Sequence, residues 1–104
     1  MNTDEYIIFL KSTLIKIENA INLLNIGCPK HILAYHKMLG VQQKISKLEE
    51  NHRNQLFEEI IIIRSVIHYL INGKYGRAFS QIIKLKKNII KICSVLENER
   101  NKNK

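Results

Sequence analysis

Apolar residues recur in steps of three and four along almost the whole chain. In residues 4–25 the seam is Ile7, Leu10, Leu14, Ile17, Ile21 and Leu24. That rhythm places one continuous apolar stripe on a helix. Asn2 or Thr3 can cap its start, and Asp4 and Glu5 occupy the first turn, where the helix dipole favours anions. The segment stops at "NIGCPK": Gly27 suits the left-handed closing conformation, and Pro29 suits the first turn of a second helix.

The second segment, about 29–49, repeats the rhythm with His31, Ala34, Met38, Val41, Ile45 and Leu48. Gly40 lies mid-helix, at a cost of up to ~1 kcal/mol relative to Ala. It either admits a neighbouring helix or serves no packing purpose. The polar stretch "EENHRNQ" (49–55) follows, without Gly or Pro. Leu48 and Leu56 are eight residues apart, so an unbroken helix would carry the seam round by roughly 80°. A turn is expected there.

The third segment, about 53–72, holds "FEEIIIIRSVIHYL" (57–70). Leu56, Ile60, Ile63, Ile67 and Leu70 keep the helical step through the four isoleucines, which outweighs isoleucine's preference for strands. Ile62, Val66 and Tyr69 form a second stripe on the same helix. An apolar face wider than one bundle seam predicts a protein interface at these three residues, with self-association as its use. "NGKYG" (72–76) closes the segment. A fourth helix, about 75–97, carries Ala78, Ile82, Leu85, Ile89, Ile92 and Leu96, with Cys93 beside them.

The expected fold is therefore all-α: an antiparallel, up-down-up-down four-helix bundle over residues 1–97, assembling as a dimer. Residues 98–104, the polar run "NERNKNK", are expected to be a disordered tail. One proline and four glycines in 104 residues leave too little punctuation for a many-stranded sandwich.

Charge changes this picture most. Seventeen basic and nine acidic side chains give +8, and residues 75–104 alone hold +6 of it. Arg77, Ser80, Lys84, Lys87 and Lys91 are spaced 3, 4, 3 and 4 apart, one ridge opposite the apolar seam. Arg77, Lys84, Lys87 and Lys91 are the candidate contacts to a nucleic acid or other polyanion, through phosphates. No aromatic residue interleaves with them to stack bases. A second row, Lys30, Lys37, Lys44 and Lys47, lies on the second helix. An A/T-rich genome accounts for part of this excess, since 19 Ile, 13 Lys and 11 Asn stand against 4 Arg.

Candidate chemistry is sparse. Cys28, His31, His36 and His68 lack the convergent spacing of a metal site, and no metal or cofactor is expected. Cys28 and Cys93 fall at opposite ends of the bundle, more than ~20 Å apart at 1.5 Å per residue, so reduced thiols are expected. Glu58 and Glu59 are adjacent and face different ways, which does not make an acid/base pair. No Gly-rich phosphate loop occurs. The apolar runs fall short of the ~18 residues that span a bilayer, and the start of the chain lacks the basic, then apolar, order of a signal peptide.

These readings predict a cytoplasmic, non-enzymatic interaction module. It would self-associate or bind a larger protein and serve as an accessory subunit of a nucleic-acid-handling complex. Two other classes share its size and charge: a cytoplasmic immunity-type protein acting at a membrane receptor, and a viral nucleoprotein or coat subunit. Both rest on fold-level analogy.

Overall fold

The computed structural model describes residues 1–27 and 29–102. All of its regular structure is helical: α1 (Thr3–Ile26), α2 (His31–Ser46), α3 (Glu50–Gln55), α4 (Phe57–Ile71) and α5 (Tyr75–Lys102). Among the described residues there is no strand.

Local chemistry fixes the helix ends. The Asn2 side chain accepts the Glu5 backbone N–H at 2.8 Å, capping α1. Gly27 (φ 94°) and Gly73 (φ 71°) take the positive φ that other residues avoid, and they end α1 and follow α4. Gly40 behaves differently. A Cβ built there meets nothing within 4 Å, so this glycine does not serve a close helix approach.

The break between α2 and α4 is made without Gly or Pro. The chain leaves α2 at Lys47, turns extended at Glu49 (φ −61°, ψ 154°) and enters the single helical step α3. Leu56 (φ −102°, ψ 19°) then joins α3 to α4. Its N–H donates to the carbonyls of His52 and Arg53 at 3.2 and 3.1 Å. Both Leu48 and Leu56, on either side of this break, are buried. The stretch expected as a polar link thus contains a helix, and His52 within it is buried.

The four long helices pack as a ring of neighbours: α1 against α2 and α5, and α4 against α2 and α5. Contacts between α1 and α5 run in opposite directions. Asp4 meets Arg100, Lys11 meets Glu97 and Glu18 meets Lys86. The core draws on every long helix. Leu10, Ile17, Met38, Ile45, Leu56, Ile63, Ile82, Leu85 and Ile89 are its largest fully buried aliphatic members. Burying each such side chain contributes about 1.5–3 kcal/mol in gross terms. Of the expected seam residues, His31, Leu14, Ile60, Ile92 and Leu96 are half-buried.

Two expectations are corrected here. A disordered tail was expected over 98–104; residues 98–102 instead continue α5, and residues 103 and 104 lie outside the described residues. The Arg100 guanidinium, 3.0 Å from the Asp4 carboxylate, ties that last turn to the start of α1. The second correction concerns α4. Ile62 is 4% exposed and Val66 0%, so both are core residues and not an interface; Tyr69 is half-buried against the same core. The reason is geometric. The Ile62–Val66 stripe lies on the helix side of Glu59, and Glu59 meets Asn88 of α5. A helix with two packed neighbours uses two apolar stripes, so the extra width is covered within the chain.

Candidate functional site

The outward face of α5 carries the predicted ridge. Arg77, Ser80, Lys84, Lys87 and Lys91 are all exposed, within an arc of roughly 80° at 100° per residue. From Arg77 to Lys91 the ridge runs about 21 Å, close to six base-pair rises of a duplex. Of these cations, only Lys84 has a carboxylate within 4 Å among the described residues. Its partner is Glu58 at 3.9 Å, with both side chains more than half exposed. Such a contact is weak and is readily exchanged for another anion. Lys86 points elsewhere, 3.7 Å from Glu18 on α1, which keeps it off the ridge.

The second row, Lys30, Lys37, Lys44 and Lys47, is also exposed. It stands on α2, which is separated from α5 by α1 on one side of the ring and α4 on the other. The two rows therefore do not merge on one molecule.

The helix face that α4 turns outward was not anticipated. Phe57, Ile61, Arg64, His68 and Ile71 follow steps of 4, 3, 4 and 3, and all are exposed. Phe57, Ile61 and Ile71 are 66%, 47% and 64% exposed. Of the isoleucine quartet, Ile62 and Ile63 are buried, Ile60 is half-buried and Ile61 faces out.

A buried polar cluster was also missed. Tyr6 lies almost fully inside, its ring 4.3 Å from that of His52. Tyr6 Oη and His52 Nδ1 have no hydrogen-bond partner among the described residues. The nearby Glu59 carboxylate is buried and accepts a hydrogen bond from Asn88 Nδ2 at 3.0 Å. Burial, with the Glu59 charge and then Cys93 adding to it, pushes the Tyr6 phenol up to about 12. Burial likewise pushes the Cys93 thiol up, which leaves it a poor nucleophile. A signal for His52 existed in the sequence: Leu48, His52 and Leu56 are four residues apart, the step of one helix face.

The histidines and cysteines do not gather. His31 stacks on Tyr75 with ring centroids 3.6 Å apart, and His36 sits tilted beside Tyr35. Cys93 is a free, buried thiol, and Cys28 lies outside the described residues. Among the described residues no three His, Cys, Asp or Glu side chains are grouped to hold a metal ion. No helix among them is long and apolar enough to cross a membrane.

No protein-family model, no curated protein and no solved structure matches this chain.

Proposed function

We propose that this chain is a small, non-enzymatic, antiparallel four-helix-bundle module that docks a polyanion, nucleic acid foremost, along α5. In that role it is an accessory subunit of a nucleic-acid-handling assembly. The observation that carries this reading is the α5 ridge. Arg77, Lys84, Lys87 and Lys91 are held in one exposed row by a helix whose opposite side is locked into the core. A rigid row of cations matches the repeating charge of a phosphate backbone and gains affinity by releasing its counterions.

Anisotropy of a labelled duplex over 50–200 mM salt tests it. With four phosphate contacts the affinity falls on the order of 100-fold across that range. Lys87→Gln and Lys91→Gln each lower the salt slope by about 1. Absence of binding at 50 mM salt overturns the reading.

A second activity, self-association, is supported by the outward stripe of α4. Phe57, Ile61 and Ile71 are the apolar surface there, in place of Ile62 and Val66. Light scattering at high concentration tests it: a dimer that Ile61→Lys dissociates supports the contact, and a strict monomer removes it.

A further inference from the structure

At one pole of the bundle every long helix presents an exposed apolar side chain. Ile26 is the last residue of α1 and Ile71 the last of α4; Tyr75 is the first of α5, and Ile32 and Leu33 follow the first residue of α2. Ile26, Ile32 and Ile71 are 68%, 62% and 64% exposed, and Leu33 and Tyr75 are exposed as well. The His31–Tyr75 stack, with ring centroids 3.6 Å apart, holds the start of α2 against the start of α5. Ile32 and Ile71 line one hollow of about 440 Å³ with that pair. The tips of the helices therefore share one surface.

Lys30 and Lys74, in the two turns at this pole, are exposed, and neither has a carboxylate within 4 Å among the described residues. The acids are elsewhere. Residues 19–48 and 60–96 hold no Asp or Glu. Eight of the nine acids fall in residues 4–5, 49–59 and 97–99, in elements that meet at the opposite pole, where Asp4 pairs with Arg100 and the Met1 amine with Glu49. This sorting decides what can cover the apolar tips. A second copy docked by the same pole would set Lys30 and Lys74 against lysines with no acid between them. A phosphate backbone would satisfy the lysines and leave four aliphatic side chains in water. An anionic bilayer satisfies both, since its headgroup phosphates take the lysines and its acyl boundary takes the aliphatic tips. Tyrosine suits the level between the two.

We propose that this pole docks on the surface of an anionic lipid bilayer, with Ile26, Ile32, Leu33 and Ile71 entering the headgroup layer and Lys30 and Lys74 against lipid phosphates. The chain lies on such a surface and does not span it: among the described residues no helix is long and apolar enough to cross a membrane. A lysine beside an anionic surface strengthens binding about fivefold, and each aliphatic tip adds to this by burial. The docking uses none of Lys84, Lys87 and Lys91, so it stands independently of the polyanion reading of α5. Ile71 also closes the outward stripe of α4, and for that reason Ile32 is the residue to vary.

The test is co-sedimentation of the full chain with vesicles at about 100 mM salt. One set is pure phosphatidylcholine; the other is three parts phosphatidylcholine to one part phosphatidylglycerol. The expected result is binding to the mixed vesicles and none to the neutral ones. Ile32→Ser weakens it about tenfold, whereas Ile8→Ser, an equally exposed isoleucine near the start of α1, leaves it unchanged. Lys30→Gln and Lys74→Gln each weaken it about fivefold, and Lys91→Gln, far along α5, changes it less than about twofold. The chain has no Trp, so Tyr75→Trp supplies a single reporter whose emission shifts to the blue on the mixed vesicles. Circular dichroism of the variants establishes that helicity is retained. Absence of binding to the mixed vesicles overturns the proposal, as does equal loss in Ile32→Ser and Ile8→Ser. A Tyr75→Trp emission that responds to a duplex oligonucleotide and not to vesicles also overturns it and gives the pole to nucleic acid.

Discussion

Asn88 of α5 donates its side-chain amide to the Glu59 carboxylate of α4 at 3.0 Å, across the pairing of the two helices. Glu59 is the one buried acid among the described residues, at 5% exposed. Asn88→Ala strips a buried carboxylate of this donor and is expected to cost about 1–3 kcal/mol. Glu59→Gln keeps a carbonyl acceptor for the same amide and should cost less than half as much. Urea denaturation of both variants checks the order, and equal losses would contradict the role given to Asn88.

Tyr6 predicts an alkaline limit to stability. Its phenol is raised from the ordinary value near 10 to about 12 in the folded chain. The unfolded state therefore releases its proton first. The tyrosine's contribution is complete below pH 10 and is lost as pH rises through 12, by about 2 kcal/mol at that pH. Tyr6→Phe removes this component and, because Oη has no partner among the described residues, is close to neutral at pH 7. The check is the stability difference between the parent chain and Tyr6→Phe, followed from pH 9 to 12. A difference that stays flat excludes the buried phenol.

Ile62 and Ile61 are sequence neighbours with opposite surroundings. Ile62→Ala opens a cavity beside Val66 and is expected to destabilise by about 2–4 kcal/mol. Ile61→Ala removes a side chain that is 47% exposed and should cost under about 1 kcal/mol. Thermal melting of the two variants side by side separates them. Similar losses would place Ile61 inside the core too.

Gly40 sits in the interior of α2 with open space where a Cβ would go. Gly40→Ala should therefore stabilise the chain by about 0.5–1 kcal/mol, through helix propensity and a less flexible unfolded state. A denaturation midpoint that moves downward would reveal a contact at this position.

Much of the fold was legible because its helices obey one period. Ile7, Ile17, Met38, Val41, Ile63, Ile82, Leu85 and Ile89 were all placed on seams by spacing, and all are buried. The Gly27 and Gly73 stops were legible because positive φ restricts the choice of residue. The fate of Ile62 and Val66 was not. A wheel shows how wide an apolar face is, but not how many neighbours share it, and α4 has two. The Tyr6–His52 contact joins the first turn of α1 to α3, and spacing along one helix carries no information about such a meeting. The α5 ridge was legible because charge periodicity on an outer face needs no partner.

The Asp4–Arg100 pair brings the opening turn of the first helix beside the closing turn of the last. The polypeptide is thus nearly a closed circle, and the seam in that circle is arbitrary. A short Gly/Ser tether joining the ends, with new termini cut at the Gly73 turn, would trace the same path through space. It would leave the α5 lysines where they are. The first turn of α1 and the last turn of α5 share one pole, opposite the His31–Tyr75 stack, which makes that pole the sensible place for a tag or surface tether.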